Sequence, residues 1–239
     1  MNIDHNSHIY LQLSKLIKEK IENLEYLPGM PIPSENELAQ KYDINRLTVR
    51  NAITLLVKEG LLKRIQGKGV YVVGEKIDRD LEKLGGFSQT MIQKNAKPAT
   101  KILIKTIREA GIKFSKIFNI SKEDKIYYIK RICYANDAPI SLEEIFIPHY
   151  VLPKLEGIDL SIFSIYEIYG FYRINIKHAL QTLSLVRLEA KDARMLQIPN
   201  TNAVMLFECF TYDDKEKVIE FSRTYTRSDK CRFSVHFKK

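Results

Sequence analysis

The chain has 239 residues, 45% of them hydrophobic and 28% charged, which is typical of a globular protein of one large or two modest domains. No uncharged apolar run reaches the roughly 18 residues that a membrane helix needs, and the first eight residues are too polar to begin a signal peptide. The three cysteines are odd in number and far apart, which argues against a disulfide framework and a zinc site. We therefore expect a cytoplasmic protein with reduced thiols and no membrane partner.

The net charge of +9 favours a polyanion or an anionic ligand as partner, without choosing between them. Between Asn45 and Lys68, six basic side chains face only Glu59, a local net charge of +5. We expect contacts with phosphate in this segment first.

The N-terminal third predicts three helices. Apolar residues recur every three or four positions over 9–24, as in an amphipathic helix. Ser34 followed by Glu37 predicts a capping box that opens a second helix. Asn45 can cap a third helix that ends at Gly60.

The third helix divides into an apolar face and a basic stripe. Its predicted inward residues are Val49, Ala52, Ile53, Leu56 and Val57, and its outward residues are Arg46, Arg50, Thr54 and Lys58. Two β-favouring runs follow, 61–65 and 70–73, separated by Gln66, Gly67, Lys68 and Gly69. Three helices and a hairpin in this order predict a winged helix-turn-helix whose third helix enters the major groove of DNA.

Arg46 and Arg50 can form bidentate hydrogen bonds with guanine or phosphate, and Thr48 can reach phosphate or a thymine methyl. The hairpin tip at Gln66, Gly67 and Lys68 can approach the minor groove. The alternative is an ordinary solvated helix face followed by a solvent-exposed turn.

Residues 77–90 mix charges with Gly85 and Gly86 and predict a linker. Beyond it, runs rich in Ile, Val, Thr, Tyr and Phe predict a mostly antiparallel sheet. The predicted strands are 101–108, 125–134, 139–147, 174–185, 203–212, 218–227 and 232–237, and the predicted short helices are 113–117, 164–169 and 188–196. The whole chain is therefore predicted to be α+β.

Catalytic chemistry is not recognisable in the sequence. His5 and His8 form only a loose pair, and the other three histidines, His149, His178 and His236, have no sequence neighbours suited to a metal or a nucleophile. We therefore predict no catalytic residue, no metal and no cofactor. Polar residues embedded in the strand-like runs suit a small polar ligand instead, because buried polar groups need partners. Strand alternation puts Glu220 on one face of its strand and Tyr225 on the other.

Residues 33–73 resemble the winged-helix domain of GntR-type bacterial transcription regulators, with the pattern P-S-E-x-x-L-A, S-R-x-T-V-R-x-A, E-G-L and G-x-G. Residues from about 85 to 237 resemble the UTRA effector domain of the HutC branch, which is related to chorismate lyase in fold. The second resemblance rests on Arg131, Asp137-Ala138-Pro139, Glu143, Ser164-Ile165-Tyr166, Ile219-Glu220-Phe221-Ser222 and Tyr225-Thr226-Arg227-Ser228-Asp229.

The resemblance implies a homodimer that binds palindromic double-stranded operator DNA and responds to a small-molecule effector. The implied DNA-binding residues are Ser34, Glu35, Asn36, Arg46, Thr48, Arg50, Gln66, Gly67 and Lys68. Asn36 stands where the family often has an arginine that touches DNA, which implies a changed operator preference. Asn45 replaces a serine, but both residues can cap a helix.

The implied effector-binding residues are Ser88, Thr90, Arg131, Glu143, Ser164, Tyr166, Glu220 and Tyr225. Several relatives hold a sugar phosphate with two alternating arginines, and here Cys133 occupies the second of those positions. A sugar or a sugar phosphate is the expected effector.

These observations predict a winged helix-turn-helix DNA-binding domain at 1–76, a linker at 77–90 and a UTRA effector-binding and dimerisation domain at 91–239. The predicted function is a ligand-responsive DNA-binding regulator, a repressor of a carbohydrate or other catabolic or uptake operon. Two alternatives stay open. The C-terminal domain could turn over a small carboxylate as chorismate lyase does, or it could be a ligand-free dimerisation domain of an architectural DNA-binding protein.

Overall fold

The computed structural model describes residues 9–73 and 98–231. The chain divides into two compact units. The first is formed by the residues up to Asp78 with 157–159 and 167–173, and the second by the remaining residues. The linker predicted at 77–90 and the domain boundary at 76 lie outside the described residues.

The first unit contains the three predicted helices and the hairpin. Its elements are α1 (Ile9–Glu22), α2 (Glu35–Tyr42), α3 (Arg46–Lys58), β1 (Leu62–Ile65) and β2 (Gly69–Val72). Both predicted caps are present. The Ser34 and Glu37 side chains accept hydrogen bonds from each other's backbone N–H at 3.3 and 2.7 Å, and Asn45 Oδ1 accepts one from the Thr48 N–H at 2.8 Å.

The apolar faces of these helices form one core, to which Leu13, Ile17, Leu38, Val49, Ala52, Ile53 and Leu56 contribute buried side chains. Helix α1 ends earlier than its apolar periodicity predicts, because Leu24 adopts a left-handed conformation with φ of 58°. Strands β1 and β2 pair antiparallel from Leu62 with Val72 to Ile65 with Gly69. Gly67 supplies the positive φ of the turn, 75°, which a side chain would strain.

The second unit is built on a six-stranded antiparallel sheet with the strand order β3-β4-β5-β8-β7-β6. From residue 98 onward the elements are β3 (Pro98–Glu109), α4 (Gly111–Phe118), β4 (Lys125–Ala135), β5 (Ala138–Pro148), a 3-10 turn (Leu155–Gly157), α5 (Ile165–Phe171), β6 (Ile176–Arg187), α6 (Ala190–Met195), β7 (Ala203–Asp213) and β8 (Val218–Arg227). The residues of the 3-10 turn and of α5 are divided between the two units. Six predicted strands and all three short helices are confirmed within a few residues. The strand predicted at 232–237 lies outside the described residues.

The β4–β5 hairpin turns at Asn136 and Asp137, whose φ angles of 48° and 65° suit a two-residue hairpin connection. Just beyond the turn the register shifts. Tyr134 faces Pro139, but Cys133 faces Ser141, so Ile140 has no partner. Proline cannot donate to a β ladder and is tolerated in a sheet at such a bulge.

The two faces of the sheet differ. Directly paired residues of neighbouring strands share a face, and on one face Tyr128, Phe146, Phe221 and Phe210 form an aromatic row. The ring of Phe114 in α4 stacks on this row, 4.3 Å from the Phe146 centroid. Helix α6 packs on the same face, against the apolar cluster around Ile132, Leu142 and Val204. We call the opposite face the polar face, because it carries the buried polar residues Arg131, Ser141, Glu143, Thr211 and Glu220.

Candidate DNA interface and effector site

The first turns of α3 carry the predicted DNA-reading residues on their outer face. Arg46, Arg50, Thr54 and Lys58 are all exposed, as the four-residue spacing predicted. The Thr48 hydroxyl donates to Asn45 Oδ1 at 3.0 Å, which ties it to the cap that starts the helix. The arginines therefore project from a helix end whose position is fixed by local hydrogen bonds.

Glu35 lies beneath these arginines. Its Oε2 accepts from Arg50 Nε at 3.2 Å and Nη2 at 3.1 Å, and it lies 3.8 Å from Arg46 Nη2. Its other oxygen, Oε1, lies 3.4 Å from Nη2 of Arg64 on β1. We call Glu35, Arg46, Arg50 and Arg64 the arginine cluster.

The other predicted DNA-binding residues also lie in the first unit. Ser34 and Asn36 are exposed at the start of α2, and Gln66, Gly67 and Lys68 are exposed at the hairpin tip. Sequence analysis missed Arg64 as an individual site residue. The local charge count included it, but no signal in the sequence linked β1 to the start of α2.

The predicted effector site lies on the polar face of the sheet. Arg131 on β4 is paired with Glu143 on β5, and Arg131 Nε donates to Glu143 Oε2 at 2.6 Å. Glu143 is paired in turn with Thr224 on β8. Glu220 lies four residues before Thr224 on the same strand, so its side chain is on this face too. Arg131, Glu143 and Glu220 are all buried. The structure thus brings three of the predicted effector-binding residues together on one face.

Burial and neighbouring charges set the protonation of this site. Burial disfavours the charged form of Arg131, but the adjacent Glu143 carboxylate more than offsets that and raises the Arg131 pKa above its ordinary value. Burial, reinforced by Glu143, raises the pKa of the Cys133 thiol. Burial also raises the pKa of Cys209 to about 11. At neutral pH the site holds a guanidinium beside neutral thiols.

Tyr166 at the start of α5 belongs to the same neighbourhood. Burial, with the nearby Glu220 carboxylate, raises the pKa of its phenol, which therefore stays protonated. Two further hydroxyls lie on this face, Ser141 beside Cys133 and Thr211 opposite Glu220. Ser141 is one of the polar residues embedded in the predicted strands, whereas Thr211 was not singled out from the sequence. Both are buried; the Ser141 hydroxyl lies at the Cys133 thiol, and the Thr211 hydroxyl lies at the Tyr166 phenol and the Cys209 thiol. A buried face with such groups suits a ligand with polar groups of its own.

The remaining predicted effector residues lie elsewhere or outside the described chain. Tyr225 pairs with Leu142 and Leu206 and therefore faces the α6 side of the sheet, away from Arg131. Ser164 is partly buried just before α5. Ser88 and Thr90 lie outside the described residues.

The part of the chain that the structure describes contains neither a metal-binding cluster nor a membrane-spanning helix. No group of three or more His, Cys, Asp or Glu side chains that could hold a metal ion occurs there. In the same residues, no helix is long and apolar enough to cross a membrane.

A capped helix with outward arginines, a basic hairpin, and a separate sheet with a buried polar face define a DNA-binding regulator with a sensor domain. Residues 9–72 match the model of the bacterial regulatory proteins of the gntR family, and residues 93–232 match the model of the UTRA domain. The chain belongs to the GntR family, in its branch with a UTRA domain.

Its relatives include named repressors. The chain is 31% identical to the HTH-type transcriptional repressor NagR of Bacillus subtilis over 99% of this chain and 98% of that one. It is 26% identical to the mannosyl-D-glycerate transport/metabolism system repressor MngR of Escherichia coli over 95% of each chain. The crystal structure of PhnF from Mycobacterium smegmatis has the same fold, with a TM-score of 0.61 and 19% identity over 96% of this chain and 99% of that one.

Proposed function

We propose that this protein is a cytoplasmic, homodimeric repressor of a sugar uptake or catabolic operon, released from palindromic operator DNA by a small-molecule effector. The arginine cluster carries the DNA-binding half of this proposal. The names of NagR and MngR, both repressors, support repression, and the name of MngR, a repressor of mannosyl-D-glycerate transport and metabolism, supports a sugar-related operon. Effector release requires that the ligand bind the non-operator conformation more tightly than the operator-bound one.

Strand β6 supports the dimeric part of the proposal. It pairs with β7 and stands at the end of the strand order, so its outer edge offers backbone hydrogen-bonding groups to a second copy. Leu183 and Leu185 are 56% and 70% exposed on the polar face, next to Phe207 and Met205. A second copy is the occupant we propose, because a palindromic operator needs two recognition helices and antiparallel strands can pair about a twofold axis.

We expect Leu183→Asp to raise the dimer dissociation constant at least tenfold, because it places a charge in an apolar interface. Sedimentation equilibrium over a range of concentrations measures this. Leu180→Asp is the matched control, since Leu180 is also 56% exposed on β6 but faces the other side of the sheet. The proposed interface is contradicted if both substitutions raise the dimer dissociation constant equally or if neither raises it.

The polar face supports an effector rich in hydroxyl groups. Arg131 donates from Nε to Glu143, and its guanidinium is buried on this face, where it can engage ligand oxygens. Ser141 and Thr211 offer hydroxyls to the same face. Cys133 carries no charge at the position where several relatives have an arginine, so Arg131 is the one guanidinium of the pair. We therefore propose a sugar that presents a single oxygen-rich group to Arg131.

A thermal-unfolding screen of sugars, amino sugars, sugar phosphates and small carboxylates tests the effector half. A selective ligand at 100 times its dissociation constant should stabilise the protein by about 2.7 kcal/mol. The same ligand should then release the full-length protein from a duplex that it selects from a random DNA library. A hit on sugar phosphates alone would contradict the preference argued from Cys133. No hit in any class would favour a ligand-free dimerisation domain.

A further inference from the structure

Glu35 differs from the arginines around it in charge and in the exposure of its side chain. It is the acidic member of the arginine cluster, at the first position of α2. Its side chain is only 17% exposed, whereas those of Arg46, Arg50 and Arg64 are 59%, 51% and 42% exposed. A DNA surface laid on this cluster would meet the guanidinium groups first. The carboxylate is therefore placed to hold the arginines rather than to read a base.

The three arginines need such a partner because their charges repel one another. Arg46 and Arg50 lie one turn apart on α3, and Arg64 comes from β1. Glu35 gives all three an opposite charge at 3.1 to 3.8 Å. Holding long side chains in one arrangement before binding removes part of the entropy that binding would otherwise cost.

A carboxylate under the DNA interface has a second effect. It repels phosphate, so it weakens the sequence-independent attraction that basic side chains exert on any DNA. The fixed orientation of the arginines strengthens binding only where a base edge accepts two hydrogen bonds in the plane of the guanidinium group. One side chain thus lowers non-specific affinity while it favours selective contacts.

We infer that Glu35 is a positioning residue that sets the ratio of operator to non-specific binding by organising Arg46, Arg50 and Arg64. This inference rests on the proposed DNA-binding function. It also replaces the expectation that Glu35 contacts DNA with a role exerted through the arginines.

The test uses Glu35→Gln in the full-length protein, with two fluorescent duplexes of equal length. One is the duplex that the wild-type chain enriches from a random library, and the other has a scrambled sequence. We expect the ratio of the two affinities to fall roughly tenfold or more, comparable with the loss of a bidentate base contact. Binding of the scrambled duplex should be equal or tighter, with a salt dependence steeper by about one counterion per phosphate newly contacted.

Glu37→Gln is the matched control. It removes the same charge two residues away on α2, and glutamine can still accept the hydrogen bond from the Ser34 N–H in the capping box. We expect its affinity ratio to match the wild type. Glu35→Asp, which keeps the charge on a shorter side chain, should give an intermediate ratio and serves if Glu35→Gln unfolds in circular dichroism.

Two results overturn the inference. One is a Glu35→Gln ratio within twofold of the wild type, and the other is an equal loss of affinity for both duplexes. A wild-type chain that enriches no sequence from the library overturns the proposed function itself. Enrichment by the wild type together with an unchanged Glu35→Gln ratio overturns this inference alone.

Discussion

Arg50→Ala is expected to abolish selective DNA binding and to leave the thermal shift caused by the effector unchanged. Arg50 is exposed on α3, and its guanidinium is oriented by Glu35. Loss of a bidentate arginine contact costs about 1–3 kcal/mol per site, so a dimer reading two half-sites loses about 2–6 kcal/mol. Fluorescence anisotropy with the selected and scrambled duplexes measures the loss, and thermal unfolding with the effector measures the second half of the prediction.

Lys58→Ala provides the comparison on the same helix. Lys58 ends α3 on the same exposed stripe, two turns beyond Arg50 and away from the arginine cluster. If Lys58 contacts only phosphate, Lys58→Ala should lower the affinity for both duplexes by a similar factor and reduce the slope of affinity against salt concentration by about one. If Arg50→Ala removed the effector's thermal shift as well, the division of labour between reading and sensing would be wrong.

Arg131→Met should lower the free energy of unfolding by about 3–5 kcal/mol, because it leaves the Glu143 carboxylate buried without its partner. The side chains of this pair are only 11% and 10% exposed, so water cannot replace the lost interaction. Urea denaturation of the full-length protein, followed by circular dichroism, measures the change.

The double variant Arg131→Met/Glu143→Leu separates charge from packing. Replacing both partners by apolar side chains removes the unpaired charge, so most of the lost stability should return. Effector binding should be lost in the single and double variants alike, since both lack the guanidinium. A double variant no more stable than Arg131→Met would show that packing around Arg131, rather than the pairing, holds this part of the sheet.

The local parts of the fold could be predicted because their causes are local. The caps at Ser34 and Asn45 and the apolar spacing of α3 depend on residues within a few positions of each other. The strands were also predicted, since their composition is strongly β-favouring. The strand order was not, because it depends on which distant strands pair, and periodicity carries no information about that.

The pairing of Arg131 with Glu143 shows where sequence reasoning stops. A regular hairpin turning at Asn136 and Asp137 would set Arg131 opposite Leu142. The bulge near Pro139 shifts the register by one residue and brings Glu143 across instead. Both residues were expected to bind the effector, but their contact follows from a backbone irregularity that a single sequence does not reveal. The separation of Tyr225 from Glu220, by contrast, could be predicted from strand alternation alone.

The distribution of helices over the sheet also bears on how such a sensor changes over evolutionary time. Helices α4 and α6 both pack on the face that carries the aromatic row, where Phe114 and Ala193 meet buried side chains of the strands. Cys133 lies on the other face, so an exchange at this position leaves the aromatic row and its contacts with α4 and α6 in place. New ligand preferences can arise beside Arg131 by single residue exchanges while that packing persists.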